Sequence, residues 1–197
     1  MSGKHRLVIG MSGASGAVLG LRCLELVSEL EQVECHLVVT PAAARTLATE
    51  LDGDAHSRAI SLADVVHPCG DVGAAIASGS FRCDGMIVAP CSMRTLSAIA
   101  YSLSDNLLTR TADVMLKERR RLVLIGRETP LHAGHLEAML KVTNHGAIVL
   151  PPVPAFYTRP ATLEEVVTQI AAHALELAGV EMSGVLVQWD GNAASSA

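Results

Sequence analysis

The stretch Gly10-Met-Ser-Gly-Ala-Ser-Gly16 joins the apolar run Leu7-Val8-Ile9 to a segment whose apolar residues recur at helical spacing from Val18 to Leu30. Glycine lets the backbone come close to a ligand, and a helix N-terminus directs free N–H groups and partial positive charge at an anion. The stretch therefore predicts a strand, a phosphate-binding turn and a helix. The alternative interpretation is a tight turn that binds nothing.

Strand and helix signals alternate along the rest of the chain. Further strands are predicted at 33–40, 85–90, 122–126 and 147–150. Helices are predicted to begin near Pro41, Ser92, Asp105, His132 and Thr162. Asp105 is predicted to be the N-cap of its helix, and Thr162 is predicted to form a capping box with Glu165. The segment from about 51 to 80 is irregular and predicts a short strand or helix plus a long loop.

This alternation predicts an α/β fold: a three-layer, Rossmann-like or flavodoxin-like domain with a mostly parallel sheet and helices on both faces. One domain is expected over 1–190. The small, polar segment 191–197 is expected to be a disordered tail.

The composition excludes several classes of partner and site. The 197 residues carry a net charge of −5, and the basic block Lys117-Glu-Arg-Arg-Arg121 is short, so no nucleic-acid partner is expected. No apolar run reaches the roughly 18 residues that span a membrane, and the N-terminus lacks a signal-peptide pattern, which predicts a cytoplasmic protein. The five cysteines include no CxxC pair, so neither a disulfide framework nor a zinc site is expected.

The ligand expected at the first turn is a mononucleotide. Its glycines follow a GxxGxxG pattern rather than the GxGxxG of dinucleotide sites, and Thr40 ends the second strand where a dinucleotide site requires an acidic residue. FMN, with one terminal phosphate, fits better. Ligands of such sheets bind beyond the carboxyl ends of the strands. The segments expected to converge there are 12–15, Thr40, 91–95, 127–130 and 151–157.

A second strand-to-helix turn, Ala89-Pro-Cys-Ser-Met-Arg-Thr95, strengthens this prediction. Ser92 and Thr95 place hydroxyl groups on the first turn of a helix, where Ser92 serves as an N-cap or as a phosphate ligand. Cys91 also lies at this helix N-terminus, but no base accompanies it. A small buried residue is therefore favoured over a nucleophile.

Other polar residues allow two interpretations each. Arg127-Glu128 follows a strand and is either a structural ion pair or an anion clamp beside an acid–base group. Arg110 and Lys117 share a helix face, as a binding pair or as a solvated basic surface. Phe156-Tyr157 covers the core edge or belongs to the site. His132 and His135 lack a third ligand, so no metal site is expected.

Taken together, these motifs resemble those of the UbiX-type flavin prenyltransferases, a family whose members have also been called phenolic or aromatic acid decarboxylases. The resemblance covers the chain from Leu7 to about Leu177. The matching motifs, in order, are Gly13-Ala-Ser-Gly16, Ala89-Pro-Cys-Ser-Met-Arg-Thr-Leu96, Asp105-Asn-Leu107, Arg110-x-Ala112-Asp-Val114, Leu116-Lys-Glu-Arg-Arg120, Leu122-Val-Leu124, Arg127-Glu-Thr-Pro130, His135-Leu-Glu137, Met139-Leu140 and Pro151-Pro-x-Pro-Ala-Phe-Tyr157.

The resemblance implies a reaction and an assembly. A dimethylallyl group would pass from dimethylallyl phosphate to N5 and C6 of reduced FMN without a metal ion, and the prenylated FMN would be delivered to a UbiD-type decarboxylase. The implied assembly is a homo-oligomer, a dodecamer, with active sites at the junctions between copies of the chain.

The resemblance also implies roles for individual residues. Contacts with FMN are implied for Gly13, Ala14, Ser15, Thr40, Ser92, Met93, Arg94, Thr95 and Arg127. Contacts with the prenyl phosphate are implied for Arg110, Lys117, Tyr157 and His173. Lys117 and Tyr157 would stabilise the departing phosphate, and Ser15 and Glu128 are the candidates for handling the proton released on ring closure.

Two positions depart from the family pattern. Val72 stands where many relatives have a tryptophan, and His173 stands where relatives have an arginine or lysine, which leaves open the choice between a monophosphate and a diphosphate donor. The alternative functions are an FMN-dependent cysteine-type decarboxylase of the related fold and a non-catalytic flavin carrier. A PASANT-like motif is expected in the former, and a carrier has no need of Arg110, Lys117, Glu128 and Tyr157.

Overall fold

A parallel sheet lies at the centre of the computed structural model, which describes residues 4–187, 189 and 191. Its strands are β1 (His5–Met11), β2 (Val33–Val39), β3 (Val65–His67), β4 (Gly85–Cys91), β5 (Arg121–Gly126) and β6 (Ile148–Val149). They lie in the order β3-β2-β1-β4-β5-β6, and each pairs parallel to its neighbours. The mostly parallel sheet predicted from the sequence is confirmed.

Helices follow the strands. They are α1 (Ala17–Ser28), α2 (Pro41–Glu50), α3 (Ala55–Ser61), α4 (Met93–Ala100), α5 (Leu107–Lys117), α6 (Ala133–Asn144) and α7 (Leu163–Leu177). Two short 3-10 turns cover Ala75–Ala77 and Phe156–Thr158.

The core is divided by the sheet into two apolar layers. Alternate residues of β1 face opposite sides, since Leu7 packs in one buried cluster and Val8 in the other. Helices α1 and α7 cover the first layer, and α4, α5 and α6 cover the second. The three-layer fold with helices on both faces is therefore confirmed. The strand order reverses between β1 and β4, which is where ligands of doubly wound sheets bind.

Several predicted boundaries need correction. The segment 51–80 contains both a helix, α3, and an edge strand, β3, where only one short element was expected. Asn106, not Asp105, caps α5, because its side chain accepts a hydrogen bond from the N–H of Thr109 at 3.0 Å. Strand β6 has two residues, since the prolines after Leu150 cannot donate to a ladder.

The predicted capping box of the last helix is confirmed. Thr162 accepts a hydrogen bond from the N–H of Glu165 at 3.2 Å, and the Glu165 carboxylate returns to the N–H of Ala161 at 2.6 Å. The predicted tail, 191–197, lies outside the described residues except for Gly191. Within the described part of the chain, the helices are too short or too polar to cross a membrane.

Candidate functional site

The two predicted strand-to-helix turns lie side by side, joined by the buried Ser12. Its N–H and its hydroxyl both donate to the carbonyl of Pro90, at 3.2 and 2.9 Å. Its Oγ in turn accepts the N–H of Ser92 at 2.8 Å. Both helices that follow, α1 and α4, thus begin at one crevice above β1 and β4. Sequence reasoning gave Ser12 no role of its own, although a serine ending a buried strand was a signal.

A carboxylate of the protein itself, that of Glu50, binds at the first turn. The N–H groups of Gly16 and Ala17, at the start of α1, donate to one carboxylate oxygen of Glu50 at 2.8 and 2.9 Å. Gly16 has a φ of 101°, a conformation that glycine adopts readily. The phosphate site predicted at this helix N-terminus is therefore occupied by the last residue of α2.

Glu50 connects the first turn to the Arg127 segment. Burial raises the pKa of the Glu50 carboxyl, but hydrogen bonds from Ser15, Ala17 and Gly16, together with the charge of Arg127, outweigh burial and lower it. Ser15 and the charge of Arg127 thus both act on the Glu50 carboxyl at the crevice edge. Sequence reasoning missed Glu50, because it lies 34 residues from Gly16 and carries no motif.

The second turn is open to a ligand. Ser92 caps α4 by accepting the N–H of Thr95 at 3.3 Å, and its hydroxyl donates to that of Thr95 at 3.1 Å. Arg94 projects from the same turn and pairs with Asp105. A cavity of about 590 Å³ opens here. It is lined by Gly13, Thr40, Pro41, Ala42, Cys69, Gly70, Ser92, Arg94, Thr95 and Asn106.

This cavity fits the flavin predicted from the sequence. Its volume lies within the roughly 300–1,000 Å³ of small-molecule sites. Its described lining includes Arg94 and the first turn of α4 and has no acidic side chain, which suits a phosphate. Gly13 keeps the floor open, since a Cβ there would collide with Ala42. Thr40 caps α2 at the rim by accepting the N–H of Ala43 at 3.1 Å.

The remaining predicted flavin residues lie close to the two turns. Ala14 is half-buried and donates its N–H to the carbonyl of Ser12 at 2.9 Å, whereas Met93 packs into the core beneath α4. The Cys91 thiol is fully buried, and burial raises its pKa, which favours the interpretation as a small buried residue. Glu128 is exposed beyond β5, where its carboxylate accepts the N–H of Thr129 at 3.1 Å.

Tyr157 and His173 line a different cavity, of about 240 Å³, beyond β6. The Tyr157 hydroxyl donates to the carbonyl of Val187 at 3.2 Å, and its ring meets that of Trp189 edge-on at 5.4 Å between centroids. Sequence reasoning placed Trp189 in the C-terminal part of the chain and gave it no role. Trp189 contacts the predicted phosphate ligand Tyr157, and no local sequence pattern indicates this contact.

Arg110 and Lys117 are not brought to either cavity within one chain. Helix α5 begins beside the larger cavity, where the N–H of Leu107 donates to the carbonyl of Cys69 at 2.8 Å, and ends near the start of β5. Lys117 therefore lies about 15 Å from the first turn of α5, towards the opposite edge of the sheet. It pairs with Glu118, and Arg110 pairs with Asp113 at 3.1 Å. Within one chain, Gly13, Thr40 and the second turn therefore share the larger cavity, whereas Tyr157 lines the smaller one.

The sequence also singled out the pair His132 and His135, and Val72. The rings of His132 and His135 lie at the start of α6 with their centroids 3.6 Å apart and their planes tilted by 32°. No group of three metal-binding side chains is found among the described residues. Val72 is half exposed in the loop after β3.

Comparison with known proteins gives close matches over nearly the whole chain. The model of the Flavoprotein family matches residues 1–175. The flavin prenyltransferase UbiX of Neisseria meningitidis is 52% identical over 189 residues, which cover 96% of this chain and 98% of that protein. The flavin prenyltransferase UbiX of Escherichia coli K12 is 46% identical, with coverage of 94% and 98%.

Solved structures agree with these matches. AnUbiX, crystallised with FMN and dimethylallyl pyrophosphate, is 48% identical, covers 95% of this chain and 98% of its own, and superposes with a TM-score of 0.91. A dodecameric FMN-dependent UbiX-like decarboxylase from Escherichia coli O157:H7 is 44% identical, with coverage of 94% and 100% and a TM-score of 0.90. An FMN-dependent cysteine decarboxylase, TvaF, is 18% identical with a TM-score of 0.64, a likeness of fold alone.

Proposed function

The chain belongs to the Flavoprotein family and, within it, to the UbiX-type flavin prenyltransferases, and we propose that it transfers a dimethylallyl group from dimethylallyl phosphate to N5 and C6 of reduced FMN. The observation that carries the proposal is the 48% identity and TM-score of 0.91 to a protein crystallised with both FMN and a dimethylallyl diphosphate. The product, prenylated FMN, is consumed by a UbiD-type decarboxylase.

Reduced FMN supplies the nucleophilic ring, and the residues of this chain bind and orient it. The N-terminus of α4, with Ser92, Arg94 and Thr95, would hold the flavin phosphate, since this helix end lines the cavity and Arg94 lies beside it. Gly13, Ala14 and Thr40 would border the rest of the cofactor. Arg127 would contact it from the end of β5.

The protein must also handle a proton, because closing the new ring at C6 releases one. Ser15 is the candidate hydroxyl on the first turn, and it acts on the Glu50 carboxyl, whose pKa it helps to lower, so that Glu50 could receive the proton. Glu128 is the second candidate and is exposed beyond β5.

The negative charge of the departing phosphate must be stabilised. In a metal-independent reaction, positively charged side chains do this. Tyr157 and His173 line the smaller cavity, whereas Lys117 lies at the opposite edge of the sheet. Lys117 and Arg110 would therefore act in the site of a neighbouring copy. A homo-oligomer in the manner of the dodecameric relative supplies such a neighbour.

One assay tests this function. The protein, reduced FMN and dimethylallyl phosphate or diphosphate are mixed anaerobically, and the flavin is analysed by mass spectrometry. FMN heavier by one C5H8 unit is expected with at least one donor. A protein that binds FMN tightly but gives no adduct with either donor is a carrier, and loss of CO₂ from a cysteine-containing peptide would indicate the decarboxylase alternative. No observation favours that second enzyme.

Glu128→Gln tests the proton-handling role. The substitution keeps shape and hydrogen bonding but removes the titratable group, so FMN binding is expected to stay within about 3-fold while adduct formation slows by about 100-fold. The exposed Glu137→Gln serves as the matched control. An unchanged rate for Glu128→Gln would remove Glu128 from the mechanism.

The cytoplasm is the proposed location. All five cysteines are free thiols, and four of them are buried, as is usual in a reducing compartment.

A further inference from the structure

A third cavity lies at the amino ends of β4 and β5, opposite the larger cavity. Its volume is about 520 Å³, within the roughly 300–1,000 Å³ of small-molecule sites. It is lined by Ser80, Arg82, Cys83, Asp84, Arg119, Arg120 and Arg121. Four arginines thus face one aspartate, on a chain whose net charge is −5. A local excess of positive charge on an acidic protein indicates an anionic ligand.

The aspartate does not cancel the charge of these arginines. One carboxylate oxygen of Asp84 accepts the N–H of Arg6 at 2.9 Å, and the other lies 3.6 Å from Nε of Arg82. In the part of the chain that the structure describes, the side chains of Arg119 and Arg121 take part in no hydrogen bond or ion pair. Both of these guanidinium groups can therefore donate to a ligand.

Two of the arginines are held in place by the protein. The Arg120 guanidinium donates to the carbonyls of Gly79 and Phe81 at 2.7 and 2.9 Å, which fixes it against the loop before β4. The Arg121 guanidinium lies over Gly179 at the end of α7, where a Cβ atom would be 2.5 Å from its Nη1. The partial negative charge of that helix end stabilises a cation. Side chains that are ordered before binding lose less conformational entropy when a ligand binds.

Arg119 occupies a position where helices commonly have glycine. It follows the last turn of α5 with a φ of 53°, and its N–H donates to the carbonyl of Leu116 at 3.1 Å. The N–H of Arg120 donates to the carbonyl of Met115 at 2.8 Å, which completes a Schellman motif. Helices α6 and α7 have glycine at the equivalent position, where a Cβ atom is strained by the positive φ. The chain therefore keeps the Arg119 side chain at a cost in stability, as is common at binding sites.

We propose that this cavity binds a small anion that carries a diphosphate group, either inorganic pyrophosphate or the diphosphate of a nucleotide. A guanidinium binds phosphate oxygens through paired N–H groups, and two adjacent phosphates present enough oxygens for several guanidinium groups. Asp84 is the one acidic side chain in the described lining, and Glu118, next to Arg119 in the chain, pairs with Lys117. The site shares no lining residue with the cavities proposed for FMN and the prenyl donor. This inference therefore goes beyond prenyl transfer and does not rest on it.

Isothermal titration calorimetry tests the site on the full chain, with FMN saturating so that the larger cavity is filled. Sodium pyrophosphate and ADP are titrated separately. At least one of them is expected to bind, with an affinity that falls as NaCl is raised from about 50 to about 300 mM. Pyrophosphate binding as tight as that of ADP, or tighter, would identify inorganic diphosphate as the ligand, whereas tighter binding of ADP would identify a nucleotide. Failure of both to bind the wild type would overturn the inference.

Arg119→Gly separates binding from folding. It removes one guanidinium and relieves the positive φ, so the melting temperature should rise while the dissociation constant for the diphosphate increases by about 10-fold. Ser102→Gly is the matched control, since Ser102 has a φ of 54° at the equivalent position of α4 and lies outside the cavity lining. It should also raise the melting temperature but leave the dissociation constant unchanged.

A second arginine variant keeps the test decisive if Arg119→Gly alters the fold. Arg82 is exposed, and Arg82→Gln should weaken diphosphate binding in the same direction without changing the melting temperature. Wild-type affinity in both arginine variants would overturn the inference, as would an equal loss of affinity in Ser102→Gly. Because prenyl transfer is not measured, failure of the proposed function leaves this test unaffected.

Discussion

Two strand-to-helix turns, after β1 and after β4, occupy equivalent places in the fold but differ in what binds their N–H groups. Each follows a buried strand, each carries serine, and each begins a helix. At the first, the N–H groups of Gly16 and Ala17 are bound by Glu50. At the second, the first turn of α4 lines the larger cavity, and its described lining has no carboxylate. The open helix end is the one that can receive a phosphate.

The difference comes from a residue that is distant in sequence. Helix N-termini attract any anion, and a side-chain carboxylate of the same chain competes with a ligand phosphate. Because α2 ends beside the start of α1, Glu50 satisfies the first turn and leaves it with a hydrogen-bonded proton group, Ser15 and Glu50, instead of a phosphate site. Under the proposed function, the second turn would bind the flavin phosphate and the first would handle the proton.

The largest expected effect comes from making the second turn resemble the first. Ser92→Asp places a carboxylate at the start of α4 and keeps a good N-cap, so the fold should persist while repulsion weakens FMN binding about 100-fold, or about 2.7 kcal/mol. Quenching of flavin fluorescence measures the dissociation constant. Ser92→Asn, which is similar in shape to Ser92→Asp but neutral, should bind at least 10-fold more tightly. Equal affinities would show that no phosphate lies at this turn.

The second-largest expected effect comes from removing the negative charge of Glu50 at the first turn. Glu50→Gln removes a charge that accepts two backbone N–H groups, so the free energy of unfolding should fall by about 1 kcal/mol at pH 7. The lowered pKa of Glu50 means that its contribution is present above the pKa of the unfolded chain and is lost as pH falls through the folded value. The difference between the two proteins should therefore shrink below about pH 4.

Urea unfolding at several pH values measures this difference. Glu31→Gln, at an exposed position after α1, is the control and should lie within about 0.5 kcal/mol of the wild type. If Glu50→Gln matches the wild type at pH 7, the carboxylate is not what stabilises the start of α1.

The two turns also differ in how far sequence reasoning could reach. Apolar spacing and capping residues predicted the sheet, its helices on both faces and the capping box at Thr162, because these depend on neighbouring residues. The short edge strand β3 was not identified, since its Val65-Val66-His67 is half exposed and too brief to show a period. The site was predicted in parts. Turn residues follow from local sequence pattern, whereas Glu50 and Trp189 reach their positions through tertiary folding. Lys117 would reach a site only in another copy, under the proposed function.

The smallest expected effect tests whether Ser15 and Glu50 act as one unit. Ser15→Ala removes one hydrogen bond to the carboxylate and leaves two backbone donors, so the free energy of unfolding should fall by about 0.5 kcal/mol. If the hydrogen bond is the cause, the double variant with Glu50→Gln should be more stable than the sum of the single losses predicts, by a few tenths of a kcal/mol. A strictly additive cycle would mean that Ser15 and Glu50 do not interact. Ser15 would then have no protein carboxylate to receive a proton, and Glu128 would be the remaining candidate for that step.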